Sequence, residues 1–484
     1  MSKFRKYAGK TASLLFFVFI AGSAVSCKKA GQPETVLAVA ADLDSQTISA
    51  TAARITTNGI DDKRAELQAL INSYASKEKT LVLPNGVFVI SDELILPSHA
   101  YVVGSGSTEI ILTAGTKSGR NVVRVPASSN YVKLKNIKIN ANQAQNTGAD
   151  LVGLFATDRI NTLTCENVIF AGGRDRGVIQ IKGLNEGPTT NVKITGCKFI
   201  EAGRTAIELR GTKNTLITNC TFSNWGTQNP NSPAIQLQSQ DNINVQIVNN
   251  TFNNTSGIQF AIECAAAYVI DSKITGNKLN DPNNLGGNGI SGYYKRTEIS
   301  NNVLSGGNGN QRSGLEIFGQ DNTIIKNTIS AGGIVIAPGL KEDGMNILIK
   351  DNTVITKGVN SAGIQMGNGG YNLKNITVSN NTVDTRQATG NSSAIVVGTY
   401  GIPRVVTDIT VEENTLYSNA FCIRLQSLPG SSDIYLTKNI CKAGMSWLGI
   451  ITNSFTNIQA SGNIKEMSNK GIIYSVPMPP VIEQ

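Results

Sequence analysis

The chain has 484 residues, a formal charge of +9 and 48 glycines, but only 2 tryptophans. This composition, with recurrent Asn, Thr and Ile, suits short strands joined by tight turns and argues against a helical protein. The positive excess forms no arginine-rich run or basic helix, so nucleic acid is not an expected partner, whereas an acidic polymer is permitted.

The first 26 residues read as a secretory signal. "MSKFRKYAGK" is a basic start, "TASLLFFVFIAGSA" an apolar stretch too short for a confident span, and "AVSC" ends on Cys27. A cysteine after small residues resembles a bacterial lipobox, in which Cys27 becomes the lipid-bearing first residue. Residues 27–53 then read as a polar tether. The body is expected outside the cytoplasm, lipid-anchored in the cell envelope at the outer membrane or cell surface. The six later cysteines show no metal-binding spacing. Cys197 and Cys220 occupy one position in successive repeats. Buried thiols are the expectation, and a disulfide between those two stays open.

Residues 54–130 read as a cap with the first coils. "DDKRAELQALINSYASKEKT" places Leu67, Leu70 and Ile71 at helical spacing behind an aspartate pair suited to a helix start. From about 131 to 465 the phrase apolar–x–Ile–x–x–Asn–x–apolar returns, as in "VQIVNNTF", "TEISNNVL" and "ITVSNNTV". Its asparagines are Asn167, Asn250, Asn277, Asn302, Asn327, Asn352, Asn381, Asn414 and Asn439, with Cys197 and Cys220 in two slots. The period, roughly 23 to 33 residues, is that of a solenoid. Second strands such as "AIELR", "AIQLQ" and "GLEIF" lie between these phrases. Each repeat is too small to bury a core alone, and stacking closes one interior. A stacked asparagine at one corner satisfies turn amides beside buried isoleucine. The expected fold is all-β, a right-handed parallel β-helix with an N-terminal capping helix; residues 466–484 form its C-terminal end and tail.

The helix from Asp61 to Ile71, followed by "VLPNGVF", resembles the opening of the pectate-lyase-like β-helix superfamily. The resemblance covers about residues 55 to 465 and implies the fold; that scaffold carries many reactions. The paired aspartates and Gly-His-Gly motif of its polygalacturonase branch are absent. The only histidine, His99, lies near the cap and reads as structural. Against the alginate-lyase and chondroitinase-B-like branch, "LRGTKN" puts Arg210 at the motif arginine and Lys182 at its lysine, without the histidine.

With Ile207 and Leu209 facing inward, outward residues fall into two columns. One runs Gln180, Glu208, Gln236, Glu263, Ser291, Glu316; the other Lys182, Arg210, Gln238, Ala265, Tyr293, Phe318. Carboxylates, amides, bases and aromatic rings concentrated in six coils point to a saccharide groove. Glu208, Glu263 and Glu316 are candidate acid and base; Arg210 and Lys182 are candidate bases for β-elimination. Gln180, Gln236, Gln238, Tyr293, Tyr294, Lys295, Phe318, Arg174, Arg176 and Arg204 are candidate substrate contacts. Three expectations result: glycoside hydrolysis, which requires no cofactor; a polysaccharide lyase, for which Ca²⁺ is a possible cofactor; or a surface lipoprotein that binds glycan without cleaving it.

Overall fold

The computed structural model describes residues 51–483, apart from 53–54, 116–120, 147–150, 158, 174–178, 183–186, 254–259, 282–288, 307–313, 338, 340–341, 360, 368–370, 391, 399–404, 427–429, 443, 451–454, 468–470 and 475–480. The signal segment and the proposed lipid site Cys27 lie outside the described residues.

Each coil lays down three strands. In one coil they are Ile207–Arg210 on a front face, Thr212–Thr218 on a long face and Thr221–Ser223 on a third. Within the solenoid a strand pairs in parallel with its counterparts one coil before and after, as Ile207–Arg210 does with Ile179–Lys182 and Ile235–Gln238. Pairing runs beyond the repeat phrase at both ends. Thr51 and Ala52 pair with Leu81 and Val82, and Val481 to Glu483 pair with Ile458 to Ala460.

The interior is built from columns of like residues, because parallel in-register coils place equivalent side chains about 4.8 Å apart. Phe170, Phe199, Phe222 and Phe252 stack at centroid spacings of 5.3, 4.8 and 4.7 Å. Beside them runs a buried asparagine ladder. Asn302 donates through its backbone N–H and its Nδ2 to Asn327 Oδ1, both at 3.0 Å, and through Nδ2 to Ile274 O. The pattern continues from Asn250 to Asn463, so no ladder amide is stranded. The residue before each ladder position has a left-handed backbone, as at Gly196 (φ 64°), Asn249 (55°) and Asn301 (54°). Asn167 belongs to that turn column, at φ 51°, and Val168 fills the inner slot, one residue from the expected place. Val168, Cys197 and Cys220 therefore continue the column that asparagine occupies later.

Six cysteines, including Cys197 and Cys220, are buried free thiols. The helix Arg64–Ala75 buries Leu67, Ile71 and Ala75 against the first coils. Its Gln68 acts as a missing neighbour strand: Nε2 donates to Ile95 O and Oε1 accepts from Ile95 N–H, at 2.9 and 2.8 Å. That closes an edge otherwise open to pairing with another chain. Asp62 accepts from Arg64 N–H at the helix start and also from Ser91.

Candidate functional site

On the front face, alternation sends Ile207, Leu209, Ile235, Leu237, Ile262 and Cys264 inward, and the residues between them outward. The register pairs Gln180 with Glu208, Glu208 with Gln236, Gln236 with Glu263, Glu263 with Ser291 and Ser291 with Glu316. The second column pairs Lys182 with Arg210, Gln238 with Ala265 and Tyr293 with Phe318. Only strand positions are described for Gln180 and Lys182; Arg174 and Arg176 lie outside the described residues.

Glu208 is only 6% exposed although it faces outward. Its Oε1 accepts from Arg210 Nε at 2.5 Å and pairs with Arg210 Nη2. The two charges neutralise one another on a single strand.

Glu263 is held differently. Burial pushes its carboxyl above the usual range, and a hydrogen bond donated by Gln236 Nε2, at 3.2 Å, draws it partly back. Two coils on, Glu316 accepts from Ser291 Oγ at 3.2 Å. The two glutamates stand about 9.6 Å apart at the backbone. The carboxyl of one is raised by burial, and the other accepts a hydrogen bond from a serine hydroxyl.

An aromatic row adjoins them. Phe318 and Tyr293 lie 5.0 Å apart between centroids, and Tyr268 meets Tyr293 edge-on at 6.0 Å. Burial, then the charge of Glu316, raises the Tyr293 hydroxyl pKa. Tyr268 Oη donates to Glu342 Oε1 at 2.6 Å, and Lys295 Nζ lies 2.8 Å from the same oxygen and 4.2 Å from the Tyr268 ring centre. Burial alone would raise the Glu342 carboxyl, but the bonds from Lys295 and Tyr268 hold it below its ordinary value. Gly339 comes so close that a Cβ there would sit 2.4 Å from Tyr268 Oη. An open pocket of about 480 Å³ lies beside this group, lined by Gln240, Asp241, Ala266, Ala267, Tyr268 and Glu342.

One expected contact is corrected. Tyr294 is fully buried, because alternation continues without a turn from Tyr293 and sends its neighbour inward. Its hydroxyl reaches back to donate to Ser291 O at 3.1 Å. Gly292, at φ 131°, allows this packing, since a Cβ there would lie 2.2 Å from Cys264 O. Lys295 is partnered by Glu342 rather than by the front-face carboxylates. Arg204 lies half-buried in the turn before Ile207, and Gln238 is half-buried on the second column. His99 stays at the cap, with its ring 5.4 Å from Tyr131. Tyr268, Asp241 and Glu342 were not anticipated from sequence. The "AAAY" run that carries Tyr268 marks an irregular corner, but nothing in the repeat announces Glu342.

Among the described residues no group of three or more His, Cys, Asp or Glu side chains converges as a metal site. No step below passes through a metal.

Residues 121–290 match the family described as right handed beta helix region. The fold is therefore the right-handed parallel β-helix expected from the sequence. No curated protein matches the sequence. Solved structures similar to it include the A-module of mannuronan C-5 epimerase AlgE6 from Azotobacter vinelandii, at 14% identity and TM-score 0.41, covering 84% of this chain and 96% of that one. A tailspike protein mutant of E. coli bacteriophage HK620, in complex with a pentasaccharide, shows 12% identity and TM-score 0.40, covering 87% and 76%. PfbA, a surface adhesin of Streptococcus pneumoniae, shows 14% identity and TM-score 0.38, covering 88% and 91%. Likenesses this distant leave the functional argument to the chain's own residues.

Proposed function

We propose that the protein binds a polysaccharide along its front face and hydrolyses a glycosidic bond there, with Glu263 as general acid and Glu316 as general base. The observation that carries this reading is the unequal pair: a carboxyl raised by burial stands two coils from one that accepts a serine hydroxyl. A carboxyl raised by burial within reach of a second carboxylate is what general-acid work near neutral pH requires. Glu263 protonates the departing glycosidic oxygen, while Glu316 takes a proton from a water attacking the opposite face of the sugar. Inverting hydrolases hold their carboxyls roughly 6.5–9.5 Å apart to admit that water, and side-chain rotamers bring a pair spaced about 9.6 Å at the backbone into that range. Tyr293 and Phe318 offer ring faces to a sugar, and Gln236 keeps Glu263 in place.

The lyase reading is weaker, because it needs an unengaged base and Arg210 is tied to Glu208. It would rest on Lys182, which shares Arg210's register. A lipid on Cys27, holding the body at a membrane surface, belongs to the same proposal.

The test is incubation with acidic and neutral polysaccharides, reading both new reducing ends and the ultraviolet absorbance of unsaturated uronates. Hydrolysis gives reducing ends without that absorbance. Absorbance would replace it with elimination, and binding without either signal would leave a glycan-binding protein.

A further inference from the structure

The corner between front and long strands differs in length from coil to coil. Three residues make it between Leu209 and Lys213, and two between Gly292 and Lys295. In the two coils between, those of Gln236 and Glu263, the matching positions Leu237 to Ile243 and Cys264 to Ile270 enclose five. The neighbouring coils close with fewer, so the solenoid does not need the added residues to continue. They build the open pocket of about 480 Å³, with Gln240 and Asp241 from one coil and Ala266 and Tyr268 from the next. That volume is ordinary for a small-molecule site. Glu342 completes the lining from three coils beyond Tyr268, about 14 Å along the axis. There it holds the Tyr268 hydroxyl at 2.6 Å and Lys295 at 2.8 Å.

The pocket adjoins the groove at Glu263. Ala266 lies three residues from Glu263 on one strand, at most about 10 Å away. At that coil the second outward column holds Ala265, where the coils on either side place Gln238 and Tyr293. Only a methyl group therefore stands between Glu263 and the corner. Tyr268 extends the aromatic row of Phe318 and Tyr293 into the pocket. Asp241 is exposed, and its Oδ1 accepts from Tyr268 N–H at 2.9 Å. A carboxylate has about four acceptor positions, so capacity is left for sugar hydroxyls. Lys295 is paired with Glu342, which leaves the charge of Asp241 to repel an anionic group.

We propose that this corner pocket holds a neutral side-branch sugar of a branched polysaccharide whose backbone passes Glu263. The inference rests on the reading that a glycan lies along the front face, but it does not depend on hydrolysis.

The test is calorimetric titration of the full chain carrying Glu316→Gln, which blocks turnover and lies away from the pocket. The probes are matched oligosaccharides, linear and singly branched: galacturonan with and without xylose, mannan with and without galactose, and xylan with and without arabinose. A xylan oligosaccharide bearing glucuronic acid is the charged arm. This parent is expected to bind the branched member of at least one pair about tenfold or more tighter than the linear one. Gln240→Trp, which fills the pocket, and Asp241→Ala, which removes its acceptor, should abolish that preference and leave the linear affinity unchanged. Gln240→Ala should keep the preference. Should Gln240→Trp lower the thermal midpoint, Asp241→Ala decides. The proposal is overturned if the preference survives in Gln240→Trp and Asp241→Ala, if linear and branched members lose affinity equally, or if the glucuronic-acid branch binds tighter than the arabinose one. A parent that binds both members of every pair alike removes the branch pocket and leaves the front-face reading standing. A parent that binds no probe removes both.

Discussion

Gln236 donates from its Nε2 to Glu263 Oε2 at 3.2 Å, joining two successive coils of the front face. The bond favours the ionised carboxylate against the burial that disfavours it. Gln236→Leu should therefore raise the pKa of Glu263. The alkaline limb of the pH–rate profile, where the general acid loses its proton, should move upward with it. A limb that stays in place or moves down removes Glu263 from the acid role.

The same carboxyl makes a stability prediction. Its folded pKa lies above the unfolded value, so its contribution is whole below the unfolded pKa and is lost as pH rises through the folded pKa. Glu263→Gln should unfold at a higher temperature than the parent at neutral pH. The gap should close as pH falls toward the ordinary carboxylate range. Thermal melts at several pH values check the sign.

Glu208 and Arg210 form a pair whose loss should show in the fold. Arg210→Ala takes the guanidinium from a carboxylate that is only 6% exposed. Breaking buried pairs costs about 3–5 kcal/mol, and with Arg210 a quarter exposed the expected cost is about 2–3 kcal/mol. Denaturant unfolding should show that loss, with much of it recovered in Glu208→Gln/Arg210→Gln. Equal losses in the single and double variants would mean that the pair does not act as a unit.

The asparagine ladder predicts a larger effect per atom removed. Asn327→Ala strands the buried backbone N–H of Asn302, removes one of the two bonds of its side-chain amide, which keeps Ile274 O, and takes a donor from Ile299 O. At about 1–3 kcal/mol for the stranded group and about 0.5–1.5 kcal/mol for each lost bond, the expected loss is on the order of 3 kcal/mol. Exposed Asn301, one residue away from the ladder, should tolerate Asn301→Gly with little change, because its φ of 54° suits glycine.

The columns were legible in the sequence because two short periods write them. Alternation on the front strand fixes which of Glu208 and Leu209 faces out, and the recurring asparagine fixes which coil is which. The slip from Asn167 to Val168 arose where an asparagine occupies the turn and the ladder residue is apolar, so chemistry and position disagree. The partnership of Lys295 with Glu342 was not legible. It depends on the path of a segment between front and long strands, and the repeat phrase carries no signal for that path. Tyr294 shows the opposite case: alternation already sent it inward, and its aromatic type drew attention outward.

Cys27→Ala should abolish membrane association while the body still folds, because Cys27 precedes the first strand of the coils, Thr51–Ala52. Fractionation after expression reads this directly, and membrane retention by the variant would remove the lipid from the proposal.

The most direct measurement is the single-turnover rate of Glu263→Gln and Glu316→Gln on whichever polysaccharide the parent cleaves. Removing a general acid or base should cut that rate by about a hundredfold or more, with glycan binding preserved and no loss of thermal stability. If both variants cleave at the parent's rate, the front-face carboxylates are not the acid and base.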